Sequence, residues 1–522
     1  MGRSSGLSTA TPSAKLRRVG QTARPGEPTG AVRRLRALSP GPLALVLAVA
    51  AAVRVWQLNS VGFNSDEAVY SGQAASIANQ PELEQFFPIF RAHPLGFQAL
   101  LSLGFRLDLD DGFARLAAAA VGVATVWLVY ELGRTLYGRR TGLLAALVMA
   151  LMPYHVVVTR QVLLDGPMAF LCVLTLLLLA RFVISGRREW LYAAAAAMGL
   201  TVLTKETSIL LVGAVYAFFA LSPELRVRLR DLAISMGVTA LVILPFPLSV
   251  MLGGRAGTGQ SYLTWQLFRR PNHDLLFYPA EVPAAIGPLV LIVAAIGLWA
   301  LRREASWRER LLLCWIAVPV AFFELWPVKG FQYLLPIAPP LALLAGRALS
   351  RCPPGPLLRL AAAGTVAATL LVSTWERVDG AAGRTLLAGS GGLPGGREVG
   401  RWIDGHVPLG STFMTIGPSM ANLVQYYGHR RAYGLSVSPN PLNRNPSYEP
   451  LVNPDRAIRD DDLQYLVWDA FSADRSPNFS ARLRTYVRRY NGRVVHTRSL
   501  QATSAAGVNS AKPVIVVYEV HP

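Results

Sequence analysis

Eleven apolar runs, joined by short loops that carry arginine at alternate connections, constrain this chain more than any other feature. The runs lie near residues 42–58, 113–133, 141–158, 166–184, 190–204, 208–221, 232–250, 284–301, 311–326, 331–346 and 356–374. A straight helix needs ~20 apolar residues to cross a bilayer, and several runs are shorter, so the loops supply the test. Arg134/Arg139/Arg140, Arg187/Arg188, Arg226/Arg228/Arg230, Arg302/Arg303/Arg308/Arg310 and Arg347/Arg351 fall in every second connection. All five share a side with residues 1–40, where Arg3, Lys15, Arg17, Arg18, Arg24, Arg33, Arg34 and Arg36 face one acid, Glu27. Positive loops stay cytoplasmic. The pattern predicts an α-helical polytopic membrane protein with a cytoplasmic N-terminus.

Composition enters where this must be separated from nucleic-acid binding. The net charge is +20, yet only 16% of residues are charged and 52% are hydrophobic. A nucleic-acid binder would gather its basic residues on one soluble face; here they are dispersed among membrane loops. Cys172, Cys314 and Cys352 are too few for a disulfide framework or a four-cysteine metal site. Residues 1–40, rich in Pro, Gly, Ser and Thr, read as a basic disordered cytoplasmic tail rather than a signal peptide. Residues 41–375 form the membrane domain. Residues 376–522 predict an extracytoplasmic α/β domain, with strand-like patches at Thr412–Ile416, Leu463–Trp468, Val494–Thr497 and Val514–Val520. Helical signals lie at Glu398–His406 and Phe479–Tyr490. The Gly389–Gly396 stretch reads as a linker, because no P-loop Lys-Ser/Thr follows it.

The unusual residues collect in the outward segments: 59–112, 159–165, Lys205–Glu206, 251–283 and the turn at Lys329. Asp66 and Glu67 stand side by side just past the first run, where a plain reading makes them first-turn acids of a helix capped by Ser65. Residues 93–107 predict a juxtamembrane helix, with His93 at its start. Asp165 sits among apolar residues where the fourth run begins; an ionisable group at membrane depth is functional by default, although N-capping is the competing reading. Only Lys15, Lys205, Lys329 and Lys512 occur among 51 basic residues, and Lys205 and Lys329 both lie at outward ends of runs. Each alone reads as a snorkelling side chain. With Arg160, Arg269 and Arg270 they form a set able to bind an anionic headgroup. Acids and cations at one face of a bundle suit transfer of a group from a phosphate-bearing lipid to a nucleophile. A lipid or solute transporter or flippase is the alternative, although transporters tend to place charge near the midplane of two matching halves.

The runs Arg54-Val55-Trp56-Gln57-Leu58, Ser65-Asp66-Glu67-Ala68-Val69-Tyr70, His93-Pro94-Leu95, Arg134-Thr135-Leu136-Tyr137-Gly138-Arg139-Arg140, Leu164-Asp165-Gly166-Pro167, Leu203-Thr204-Lys205-Glu206 and Tyr333-Leu334-Leu335-Pro336 occur in a telling order. Across residues 45–350 the chain resembles the polyprenyl-phosphate-dependent GT-C glycosyltransferases of the protein-mannosyltransferase and aminoarabinose-transferase type (glycosyltransferase family 39-like). The resemblance implies a bacterial plasma-membrane enzyme with a polyprenyl-phosphate-sugar donor, a hexosyl or pentosyl group, and a protein, glycan or lipid acceptor. It maps the general base onto Asp66, with Glu67 orienting it and Asp165 near the donor headgroup or acceptor. Lys205 and Lys329 become donor-phosphate contacts, with Arg160, Arg269 and Arg270 in support. His93, Tyr70 and Tyr333 become substrate contacts, and direct displacement implies inversion. Two departures stand out: His93-Pro94-Leu95 replaces His-Pro-Pro, and Lys205-Glu206 replaces Lys-Gly, so Lys205 is open to local pairing. These motifs establish no cofactor. A divalent-metal site from His273 and the acids stays open, its spacing not diagnostic.

Overall fold

The computed structural model describes residues 41–89, 94–107, 111–225, 227–252, 265, 271–378, 393–503 and 509–522. Each of the eleven apolar runs is helical there, but not as eleven straight spans. Asp111–Tyr137, Asp165–Ser185, Leu229–Ser249, Phe331–Arg351 and Pro356–Val378 are long and apolar enough to cross a bilayer unaided. Two further runs are bent pairs: Arg139–Leu151 with Pro153–Thr159 at 60°, and Phe277–Ile286 with Pro288–Ala300 at 89°. Proline causes both breaks. Met152, ahead of Pro153, is extended with ψ of 118°, the conformation that the following pyrrolidine ring favours. Gly287, ahead of Pro288, takes φ of +98°, which a side chain would resist. The remaining runs form Pro42–Val55, Arg188–Thr204, Leu210–Ala220 and Trp307–Leu325. At ~1.5 Å per residue, the 14 residues of the first fall short of a hydrocarbon core.

Between the first two runs, Ser65–Ile77 and Gly96–Phe105 form short helices. The chain ends in a five-stranded sheet: β1 Thr412–Thr415, β2 Arg431–Gly434, β3 Tyr465–Asp469, β4 Arg493–Thr503 and β5 Asn509–Glu519. Its order is β2-β1-β3-β5-β4, with β2, β1 and β3 parallel and β5 antiparallel to both β3 and β4. Alternation along each strand divides the core. Phe413, Tyr465, Val467, Ile515 and Val517 face the helices Gly396–His406 and Pro418–Gly428. Met414, Leu466, Leu483 and Tyr486 pack on the other side. Four of the strands and two of the helices match the sequence patches. The strand β2 and the Pro418–Gly428 helix do not, because Arg-Ala-Tyr-Gly offers no β-branched residue to mark it.

The first apolar face does not stop at the sheet domain. Phe63, Ala68, Phe87, Phe97 and Leu101 belong to the same buried cluster as Val399, Leu423 and Phe413. Polar contacts pin the seam: the Tyr427 hydroxyl donates to Asp111 Oδ2 at 2.9 Å and accepts from the Phe63 amide at 2.9 Å. Arg397 Nη2 donates to the Asn59 carbonyl at 2.9 Å.

One buried acid in the sheet domain makes a testable statement about stability. Asp469 is fully enclosed; its Oδ1 accepts from the Ser472 amide at 2.6 Å, while Oδ2 meets no donor. Burial pushes its carboxyl up to about 6. A raised carboxyl favours folding below the unfolded value near 4, and that contribution is lost as pH rises through 6, an effect on the order of 3 kcal/mol. Asp469→Asn keeps the cap acceptor and removes the charge. At pH 7 the variant should therefore protect the β3 amides from hydrogen exchange more strongly than wild type, with the gap closing toward pH 4. Equal protection at both pH values would show that the acid does not govern this domain.

Candidate active site

The Ser65–Ile77 helix begins with a reciprocal cap. Asn64 Oδ1 accepts from the Glu67 amide, and Glu67 Oε2 accepts from the Asn64 amide, both at 3.0 Å. The cap is therefore Asn64, one residue before the expected Ser65, and Ser65 is freed to accept from Asn422 Nδ2 of the sheet domain at 2.9 Å. Two adjacent acids on a helix diverge by about 100°, and here they have different fates. Glu67 is fully buried. Arg115 Nε and Nη2 donate to its two oxygens at 2.8 and 2.7 Å, and the Val162 amide donates to Oε1 at 3.1 Å. Both oxygens are thus occupied twice over, a geometry that suits an orienting role and leaves no lone pair for substrate. Asp66 is half-buried in the same first turn.

Arg115 does more than neutralise Glu67. Its Nη1 donates to the carbonyls of Leu58 and Val61, and Nη2 to that of Gly62. It thereby folds the connection 58–67 around one guanidinium. An arginine one turn inside an otherwise apolar span was a readable signal, and sequence reasoning passed over it. Asn64 Nδ2 also donates to Gln161 Oε1 at 2.7 Å. Together with the Val162–Glu67 bond, this ties the Asp66 helix to the segment that leads into Asp165.

Asp165 occupies the first turn of Asp165–Ser185, and the N-cap position falls to Leu164, which makes no side-chain cap. Its carboxylate receives Lys205 Nζ at 2.7 and 2.8 Å, and both side chains are buried. Two of the expected site residues are therefore one ion pair. The local partner of Lys205 is Asp165, forty positions away, rather than the adjacent Glu206. The ammonium also lies 4.9 Å from the centre of the Tyr333 ring. Tyr333 packs on Phe323 at 5.3 Å, and the Phe323 carbonyl accepts from Lys329 Nζ at 3.3 Å. Lys329 Nζ further donates to the Glu324 carbonyl at 2.6 Å and lies 3.6 Å from the Glu324 carboxylate. The Asn272 side chain exchanges two hydrogen bonds with the Lys329 backbone. One continuous layer thus runs from Asp165 through Lys205, Tyr333 and Phe323 to Lys329.

Other expected contributors lie elsewhere or have other work. Arg160 Nη1 donates to the carbonyls of Val53 and Arg54, closing the end of the Pro42–Val55 helix. Tyr70 packs against both the membrane core and the cluster beneath the sheet. His273 stacks on Phe277 at 4.1 Å, and burial with nearby Arg475 lowers its pKa. Among the described residues no three of His, Cys, Asp and Glu come together as a metal site. His93, Arg269 and Arg270 lie outside the described residues. A second buried arginine, quoted in the first of the resembling runs, was given no role by the sequence. Arg54 donates to Ala50, Ala150 and Thr159 and lies 2.6 Å from His155 Nδ1. Gly122 makes room for it: a Cβ there would sit 2.9 Å from Arg54 Nε and 2.6 Å from the Thr159 hydroxyl.

This arrangement sits on a known framework. The sequence profile of the dolichyl-phosphate-mannose-protein mannosyltransferase family matches residues 92–250. The crystal structure of ArnT from Cupriavidus metallidurans in the apo state superposes with a TM-score of 0.65 at 16% identity, covering 94% of this chain and 98% of that one. The same protein bound to undecaprenyl phosphate gives 0.63 at 16%, covering 91% and 97%. The oligosaccharyltransferase AglB from Archaeoglobus fulgidus, in complex with an inhibitory peptide and a dolichol-phosphate, gives 0.57 at 14%, covering 90% and 74%. No curated protein matches the chain. The fold is that of the polyprenyl-phosphate-dependent GT-C glycosyltransferases. Residues 92–250 carry the mannosyltransferase family pattern, and the structural likeness runs almost end to end with ArnT.

Proposed function

We propose that this chain is a multi-pass glycosyltransferase that moves a sugar from a polyprenyl-phosphate-linked donor to an acceptor hydroxyl at the outer face of a bacterial plasma membrane. The observation that carries the reading is the division of labour in one helical turn. Glu67 is locked by Arg115 and two backbone amides, while Asp66 beside it is held half-buried, on the same assembly that holds the Asp165–Lys205 pair. A rigid carboxylate beside buried cations matches the needs of this chemistry. Asp66 takes the acceptor proton as the acceptor oxygen forms its bond to the anomeric carbon. The bond from that carbon to the phosphate oxygen breaks, and its electron pair leaves with the polyprenyl phosphate. Attack opposite the leaving group inverts the anomeric centre. Lys205 holds the departing phosphate, Asp165 keeps the Lys205 ammonium charged and aimed, Tyr333 forms the floor beneath it, and Lys329, spent on the Phe323 and Glu324 carbonyls, adds positive charge behind that floor.

An apolar groove between the helices Asp165–Ser185, Arg188–Thr204, Leu210–Ala220 and Leu229–Ile243 offers a seat for the donor's hydrocarbon tail. Met198, Phe219 and Ile243 line it, and it reaches Ile209, four residues beyond Lys205. The arginine loops lie in the cytoplasm and the C-terminal sheet domain outside, as positive-inside topology requires.

The test is transfer by the purified protein in lipid nanodiscs from polyprenyl-phosphate sugars, with the anomeric configuration of the product read by NMR. A retained configuration would overturn the displacement. Removing one charge-assisted contact to the phosphate costs about 1.5–3 kcal/mol, so Lys205→Met should weaken undecaprenyl-phosphate binding by roughly 10- to 100-fold. Unchanged affinity would remove Lys205 from the donor site.

A further inference from the structure

A polar cavity of about 140 Å³ opens where the free edge of the sheet meets the segment that follows the Asp66 helix. Phe86 closes one side, and Asn422, Gln425 and strand β2 close the other, with Tyr448 and Glu449 at its margin. Three features say what it holds.

The first is its chemistry. Amide side chains, which both donate and accept, stand with Arg431 and Glu449 around the rings of Phe86, Tyr433 and Tyr448. Planar polar groups beside aromatic faces suit a ligand that is dense in hydroxyls yet has apolar C–H faces. A hydrocarbon chain would find little apolar surface.

The second concerns the sheet edge. Tyr433 points its carbonyl toward β1, where Thr415 Oγ1 donates to it, so alternation leaves the carbonyls of Ala432 and Gly434 on the free edge. Both are already taken, Ala432 by Gln425 Nε2 at 3.1 Å and Gly434 by the Val437 amide at 3.0 Å. An extended peptide adding as a sixth strand needs those carbonyls. The edge is blunted against it.

The third is position. Asn422, in the cavity wall, donates to the Ser65 hydroxyl, and the next residue is Asp66.

We propose that this cavity is an acceptor subsite and that its occupant is a glycan chain, whose reactive hydroxyl extends past Asn422 to Asp66. The proposal rests on the transferase reading and names its acceptor class. It also gives the sheet domain a part in recognition. Strand β2 and the Pro418–Gly428 helix form half of the subsite, and the Tyr427–Asp111 and Arg397–Asn59 contacts fix that half against the membrane domain.

The experiment uses the full-length protein in nanodiscs and saturation-transfer NMR with linear tetrasaccharides of mannose, arabinose and galactose, and a serine/threonine-containing octapeptide. At least one tetrasaccharide should bind wild type and Asp66→Asn alike. The Tyr433→Ala and Glu449→Gln substitutions together should weaken it at least tenfold, while undecaprenyl-phosphate binding by the same variant reports that the fold persists. Binding by none of the three sugars, sugar binding indifferent to the double substitution, or binding of the peptide alone would each overturn the glycan subsite. An Asp66→Asn protein that still transferred sugar would instead remove the general base and leave the subsite standing.

Discussion

Asp66→Asn is expected to lower sugar transfer by roughly 10²- to 10⁴-fold, the span that a positioned general base supplies. The substitution conserves volume and leaves the reciprocal Asn64–Glu67 cap in place, so the helix has no reason to shift. What disappears is the capacity to take a proton as the acceptor oxygen attacks. Undecaprenyl-phosphate binding should persist, because the phosphate is assigned to cationic side chains outside this helix. The loss should therefore fall on kcat with little change in donor KM, which is how removal of an interaction made only in the transition state is read. Glu67→Gln makes the contrast. It takes the charge from a group whose oxygens already serve Arg115 and two amides, and its damage should register in stability as well as rate. If Asp66→Asn turned over at the wild-type rate, the base would have to be sought at Asp165 instead.

The membrane architecture was legible because its signals are long and redundant. Eleven apolar runs repeat one physical rule, and each is helical, although among the described residues five helices and two bent pairs are long and apolar enough to cross a bilayer. Pro153 and Pro288 stood in plain view, yet the bends they impose depend on how the neighbouring helices accept a broken ladder, which a hydropathy run does not encode. The site was legible only in part for a related reason. Asp66, Asp165, Lys205 and Lys329 announce themselves as rare charges at the ends of apolar runs. Their pairing does not, since Lys205 reaches Asp165 across forty residues and passes over the adjacent Glu206. Arg115 was missed because it sits inside a run that is apolar on average, where a window hides a single charge; Arg54 stood in a quoted motif, but its buried contacts to Ala150, His155 and Thr159 lie about a hundred residues away. The acceptor-side cavity lay beyond reach altogether. It is made of two segments more than three hundred residues apart and an edge strand of four residues without sequence signature.

Arg115→Met should be the most damaging single change to the fold of this region. The guanidinium makes five hydrogen bonds, three to the carbonyls of Leu58, Val61 and Gly62 and two to Glu67. Taking it away leaves a fully enclosed carboxylate with only the amides of Asn64 and Val162 for company. Breaking one side of a buried pair costs about 3–5 kcal/mol, more than the pair contributes when whole, because the abandoned charge stays desolvated. That asymmetry gives the test its shape. The single variant should unfold at a markedly lower temperature in detergent and lose transfer with it. Adding Glu67→Gln should recover part of the stability by removing the stranded charge. Transfer should not return to the same degree, because the carbonyls of 58–62 remain unheld and the turn that aims Asp66 is still loose. If the double variant were no more stable than Arg115→Met, the cost would belong to the carbonyls rather than the charge. The guanidinium would then be a clamp for the 58–62 connection first and a counterion second.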